Sequence, residues 1–190
     1  MKHALEQLGR PCPHDDVLAS FIGPPAREAF ATFLETSNTE LIGRALALYR
    51  ERLSAEGLYE NALYPGIPAM LERVGQVGSA SFVVTSKLTI FARRIVEHFG
   101  LAGHFTRVYG SQPDGRFDDK AKLIAHVLES EKIDPDAAVM IGDRAVDIRG
   151  ARANSIRSIG VLWGYGSEQE LVEAGADRLC VAPAELETCW

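Results

Sequence analysis

The chain has 190 residues, 46% hydrophobic and 24% charged, with 26 acidic against 20 basic side chains and a formal net charge of −6. That length and apolar content suit one domain, or one domain with a small appendage, and exclude a disordered or fibrous chain. Acids and bases are interspersed rather than blocked, so no nucleic-acid-binding surface is expected, and the expected partner is a small molecule.

From Met1 to about Tyr64 the pattern is helical throughout. Val17, Leu18 and Phe21, then Ala29, Phe30, Phe33 and Leu34, recur at spacings of three and four, as an amphipathic helix requires. Leu41, Ile42, Ala45, Leu48 and Tyr49 continue the pattern, with Gly57 placed to cap that helix. Between the first two helices, IGPP (Ile22 to Pro25) reads as a rigid loop, and no strand is expected before residue 80.

After LYPGIPAMLERVGQVG, short apolar runs alternate with helical ones. SFVVTS reads as a buried strand, LTIFARRIVEHFG as a helix with Phe91, Ile95 and Phe99 at four-residue intervals, and FTRVYGS as a second strand. DDKAKLIAHVLESEKI is the next helix, AAVMIGD a third strand, AVDIRGARAN a helix, RSIGVLW a fourth strand, SEQELVEAG a helix and RLCVA a last short strand. Such alternation predicts a parallel sheet covered by helices on both faces, an α/β fold whose ligands bind beyond the carboxyl ends of the strands. The domain division expected is a helical region over 1–64 and an α/β region over 65–190.

Cys12, Cys180 and Cys189 form an odd set without a C-x-x-C, which disfavours a disulfide framework or a zinc knuckle and fits a reducing cytosol. No apolar run nears the roughly 18 residues of a membrane span, and MKHALEQLGRPCPHDD lacks a signal-peptide core. A soluble cytoplasmic protein without membrane contact, monomeric or homodimeric, is expected.

The strand ends carry the chemistry. After AAVMI come Gly142, Asp143 and, four residues on, Asp147; positions four apart share a helix face, so both carboxylates reach the ligand edge. Hard oxygen ligands of this kind suit magnesium, which takes one or two carboxylates plus waters and a substrate phosphate. The alternative is that Asp143 caps the helix and Asp147 pairs with Arg144 or Arg149 on a solvated surface. After SFVV come Thr85 and Ser86, where a hydroxyl beside the N–H groups of a helix start makes a phosphate cradle; a plain N-cap by Ser86 or Thr89 is the alternative, and Lys87 reads as a surface charge. In DDKAKLIAHVL, Asp118 or Asp119 is the N-cap, which puts Lys120 in a first turn where the macrodipole disfavours a cation. A residue placed against local preference points to function, with Lys122 as the rival and a solvated lysine as the alternative.

Taken in order, Thr85, Lys120 and the run Gly142-Asp143 to Asp147 resemble the second, third and fourth motifs of haloacid-dehalogenase-like phosphohydrolases. The resemblance to that core runs from about Tyr64 to Leu186. GARANSIRSIGVLWGYGSEQELVEAGADRLCVAPAEL is similar to the tail of the phosphoglycolate-phosphatase-like branch, and residues 1–64 to its helical cap. IGPPAREAF is similar to a bacterial group labelled 5′-nucleotidase or phosphoglycolate phosphatase. The resemblance implies a doubly wound, Rossmann-like parallel sheet with a small α-helical cap, and magnesium-dependent hydrolysis of a small phosphorylated metabolite. It implies that Asp143 coordinates Mg2+ and that Asp147 supports the metal or its waters. Thr85 and Ser86 would hold phosphoryl oxygens, and Lys120 would supply positive charge to nucleophile and phosphate. Arg27, after the GPP loop, would reach a substrate carboxylate or phosphate, a surface arginine being the alternative. Trp163 and Tyr165 lie in a tight loop marked by Gly164 and Gly166 that reads as structural, and His14, His98, His104 and His126 lack metal-ligand spacing.

The family's attacking and acid–base aspartates belong to an Asp-x-Asp-Gly-Thr motif after a first, central strand, ahead of the cap. This sequence begins within what resembles the first cap helix. The D-x-D at Asp134-Pro135-Asp136 precedes a strand and reads as a turn with Pro135 fixing φ; Asp15-Asp16 and Asp118-Asp119 lack the spacing. The expectation is a truncated, inactive form without its nucleophile, in which loss of the central strand leaves neighbouring strands with unpaired backbone groups. A non-catalytic metal- and phosphate-binding module is the alternative. A flavodoxin-like nucleotide binder is disfavoured, because no Gly-rich loop follows the first visible strand.

Overall fold

Residues 1–189 are described by a computed structural model and fall into two units that meet in sequence between Ala62 and Leu63. The first unit is all helix: α1 (Lys2–Gln7), α2 (Asp15–Ser20), α3 (Ala26–Phe33) and α4 (Thr39–Ala55), then a single 3-10 turn over Gly57–Tyr59. Its core joins Ala4 and Leu5 of α1 to Phe30 of α3 and Ile42, Ala45 and Leu46 of α4; Phe30, Ile42 and Ala45 are positions of the expected three-four spacing, whereas α2 buries none of its residues and Val17 is 42% exposed. Asn38 starts α4, its side chain accepting from the N–H groups of Glu40 (2.9 Å) and Leu41 (3.1 Å). Gly57 does not end it. Glu56 holds that place with φ −135°, and Gly57 opens the 3-10 turn instead, so the capping role expected of the glycine is not realised.

The second unit alternates strand and helix as expected. After α5 (Ile67–Gln76) come β1 (Phe82–Leu88), α6 (Thr89–His98), β2 (Arg107–Ser111), α7 (Lys120–Glu131), β3 (Val139–Gly142), α8 (Ala145–Ala153), β4 (Arg157–Val161), α9 (Glu168–Ala174) and β5 (Arg178–Cys180). All pairings are parallel, with Thr85 opposite Gly110, Gly142 opposite Gly160, and Gly160 opposite Leu179. The Asp134 side chain accepts from the N–H of Asp136, so the D-x-D is the turn that the proline predicts. Among the described residues no helix is long and apolar enough to cross a membrane.

The sheet comes in two pieces. β1 pairs with β2, and β3-β4-β5 form a separate ladder, so β1 and β3 each end in an edge. Burial follows pairing: in β4, flanked on both sides, Ser158 to Val161 are all buried, whereas every residue of β1 is only half-buried and Ile141 of β3 is 37% exposed. The two pieces are tied by what lies above them. Ile124 of α7, Met140 of β3 and Ala151 of α8 form one buried cluster against which Val84 of β1 packs. With these two ladders β1, β2, β3 and β5 are all edge strands, and only β4 is paired on both sides.

Candidate phosphate and metal site

Lys120 is the side chain that crosses between the two sheet pieces. Asp119 caps α7 by accepting from the Lys122 N–H (3.0 Å), which makes Lys120 the first helical residue and leaves Lys122 exposed. The Lys120 ammonium donates to the Val84 carbonyl of β1 (2.9 Å), 36 residues away, and pairs with Asp147 Oδ1 (3.0 Å). Both side chains are nearly closed to solvent, at 8% and 10% exposure. The cation that the macrodipole disfavours at this position is thus held by a carbonyl and a carboxylate from elsewhere in the fold.

The two aspartates hold different posts. Asp147 lies in the first turn of α8, and its Oδ2 accepts from the backbone N–H of Arg144 (3.2 Å), so one carboxylate closes the helix start and neutralises Lys120. Asp143 lies between β3 and α8, and its Oδ2 accepts from the Tyr165 N–H (2.8 Å) in the loop after β4. Neither alternative holds: Arg144, not Asp143, is the N-cap residue, and Asp147 pairs with buried Lys120 rather than with a surface arginine. Glycines make room for this arrangement. A Cβ on Gly142 would stand 2.3 Å from Asp147 Cβ, one on Gly164 2.2 Å from Asp143 Cβ, and one on Gly166 2.0 Å from the Asp143 carbonyl oxygen. The WGYG loop is therefore wrapped directly on the acid that follows β3.

Glu170 of α9 meets the start of α8. Its Oε1 accepts from the Ala145 N–H (2.7 Å) and from Arg144 Nε (2.9 Å). Burial pushes the Glu170 carboxyl up, but the Ala145 N–H and the Arg144 guanidinium outweigh it, and the net shift is downward.

At the end of β1 the chain departs from expectation. The strand does not stop at Thr85 but runs on through a register shift to Leu88, so α6 begins only at Thr89 and neither Ser86 nor Thr89 caps it. Thr85 Oγ1 accepts from the Lys87 N–H (3.2 Å), which leaves the hydroxyl proton to donate, and the Ser86 carbonyl accepts from Ser111 Oγ (3.0 Å). Thr85 follows the carbonyl that holds Lys120, so hydroxyl and ammonium share one peptide as neighbour. Lys87, expected on the surface, is buried enough that desolvation lowers its pKa. Arg27 is the second residue of α3, in the helical unit, and is half-buried.

Sequence reasoning passed over two participants, the Tyr165 backbone N–H and Glu170, and also the partial burial of Lys87. The WGYG glycines offered a hint of the first, and nothing local marks the other two.

Among the described residues no three His, Cys, Asp or Glu side chains gather to hold a metal ion. Two carboxylates do stand at one strand end. Both oxygens of Asp147 are engaged, by Lys120 and the Arg144 N–H, while Asp143 has one oxygen on Tyr165 and a second beyond that bond. Such a donor set fits an ion that takes one protein carboxylate and completes its shell with waters and a phosphate.

Comparison with known proteins identifies the family. A 5′-nucleotidase of Pseudomonas aeruginosa is 41% identical over 189 residues, covering 98% of this chain and 84% of that protein. The tyrosine-protein kinase PtkA of Mycobacterium tuberculosis is 36% identical over 165 residues, 87% of this chain and 56% of its own length. The crystal structure of a predicted phosphatase from Clostridium acetobutylicum superposes with a TM-score of 0.94 at 37% identity, over 99% of this chain and 87% of that one. The family described as haloacid dehalogenase-like hydrolase matches residues 1–161, and the chain belongs to it.

Proposed function

We propose that this chain forms the phosphate- and metal-binding part of a magnesium-dependent hydrolase of small phosphate monoesters. The observation that carries the proposal is the Lys120 ammonium, closed to solvent between the Val84 carbonyl and Asp147 at the ligand edge of the sheet. A buried cation one peptide away from a hydroxyl is suited to an anion carrying more charge than one carboxylate. In this reading Thr85 and Ser86 bind phosphoryl oxygens, Lys120 offsets their charge, and Asp143 presents its open oxygen to Mg2+ while Asp147 holds Lys120 and the helix start in place. Bound Mg2+ would supply further charge stabilisation at the phosphoryl oxygens. The substrate class favoured is nucleoside 5′-monophosphates, on the strength of the 41% identical relative named a 5′-nucleotidase, with phosphoglycolate as the other candidate.

Hydrolysis through an aspartyl-phosphate needs an attacking carboxylate, whose oxygen bonds to phosphorus as the ester oxygen leaves and which water later frees. Asp143 and Asp147 are committed elsewhere, to the Tyr165 N–H and to Lys120. The 190-residue chain is therefore expected to bind phosphate and Mg2+ without turnover. The test is a panel of nucleoside 5′-monophosphates, phosphoglycolate and an aryl phosphate. It is run on the chain alone and on the chain extended by whatever its gene encodes in frame upstream. Turnover by an extended form, abolished by Asp143→Asn, supports the proposal. Undiminished turnover in that variant removes Asp143 from the site, and phosphate binding without turnover in every form leaves a binding module instead.

A further inference from the structure

Arg144 poses a problem for any cation site built on Asp143. It follows that aspartate directly and precedes Asp147 by three residues, and a guanidinium is permanently charged and shaped to grip carboxylates with two bonds. Left to swing, it would take the oxygens that a metal ion needs. The structure gives it another partner. Arg144 Nε donates to Glu170 Oε1 at 2.9 Å, and the same oxygen accepts the Ala145 N–H at 2.7 Å, so guanidinium and helix start are gripped together.

Glu170 is itself held in position. Ser167 caps α9, its Oγ accepting from the Glu170 N–H (3.1 Å), which sets Glu170 in the first turn facing α8. The loop just before Ser167 carries the Tyr165 N–H that binds Asp143 Oδ2 (2.8 Å). One short segment, Tyr165 to Glu170, therefore orients Asp143 with one arm and removes its competitor with the other.

We propose that Glu170 is a positioning residue of the cation site: by pairing with Arg144 it keeps the guanidinium off Asp143 and so preserves an oxygen for a divalent ion. This rests on the reading of Asp143 as the cation's carboxylate. The role is electrostatic, and it differs from mere support of the fold in that removing Arg144 should make Glu170 dispensable.

The experiment titrates the 190-residue chain with Mn2+, free ion being followed by electron paramagnetic resonance, and records the thermal midpoint of each variant. Glu170→Gln keeps an acceptor for the Ala145 N–H but not the charge that holds Arg144. It is expected to weaken Mn2+ binding about fivefold, the scale of one partly screened charge pair. The double variant Glu170→Gln with Arg144→Ala is expected to return to within about twofold of the parent. Unchanged affinity in Glu170→Gln overturns the proposal, as does a double variant that stays as weak as the single one. A parent chain without saturable Mn2+ binding, or with binding untouched by Asp143→Asn, overturns the underlying reading of Asp143 instead, so the two failures are told apart.

Discussion

Replacing Lys120 by methionine tests whether the bridge between the two sheet pieces is a buried ion pair or a screened one. The side chains of Lys120 and Asp147 are 8% and 10% exposed, and the ammonium also serves the Val84 carbonyl. Methionine fills similar volume but leaves Asp147 charged and buried without its cation, a change that costs about 3–5 kcal/mol. At roughly 3–5 °C per kcal/mol for a unit of this size, the midpoint of that unit should fall by about 10 °C or more. Adding Asp147→Asn removes the stranded charge yet keeps an oxygen for the Arg144 N–H, so Lys120→Met with Asp147→Asn should recover all but about 1 kcal/mol. Circular dichroism melts of the two single variants, the double and the parent close the cycle. A fall of less than about 1 kcal/mol for Lys120→Met would refute the reasoning, since that is the range of pairs bathed in water. It would mean that solvent reaches the bridge between the open edges.

Three further outcomes are expected. Gly164→Ala drives a Cβ to within 2.2 Å of Asp143 Cβ and 2.3 Å of its Oδ2. It should cost about 1–3 kcal/mol in melting and also impair Mn2+ binding; a variant with parental affinity would mean that the loop can retreat without moving Asp143. Glu170 has its carboxyl held below the free value of 4.5, so its contribution to stability is complete above that pH and is lost as pH falls through the lower folded value. The midpoint of the parent should decline with acid in that window more steeply than that of Glu170→Gln, and parallel curves would count against the Arg144 and Ala145 contacts. Burial first, and then the neighbouring Cys189 thiol, push Cys180 up to about 11, while Cys12 is exposed. At pH 8 a disulfide reagent should label Cys12 quickly and Cys180 only on unfolding, as peptide mapping would show; rapid labelling of Cys180 would deny its burial.

The five strands and the helices between them were legible because each answers to its own neighbours in sequence. SFVVTS and RSIGVLW are short apolar runs, and the helices keep three-four spacing whatever surrounds them. Lys120 was legible for a different reason: a lysine at a helix start breaks a local rule, and the buried partners found for it explain the breach. Asp143 and Asp147 were visible as a spaced pair, but their distinct posts were not, since the spacing alone cannot say which oxygen meets Lys120 and which meets Tyr165.

Glu170 shows the limit most clearly. An acid in a first turn satisfies the helix dipole and would pass for a surface charge; its partner Arg144 is 26 residues away and faces it only once α8 and α9 pack. Lys87 likewise was read as exposed because nothing in TSKLT foretells the register shift that carries β1 on to Leu88. Periodicity, turn chemistry and motif order depend on interactions within a few residues, and these the amino-acid order specifies directly. The split of the sheet at β1 and β3, the sharing of Asp147 between a helix start and Lys120, and the diversion of Arg144 by Glu170 depend on which surfaces meet in space. Contacts across tens of residues leave no period in the chain, so packing alone decides them.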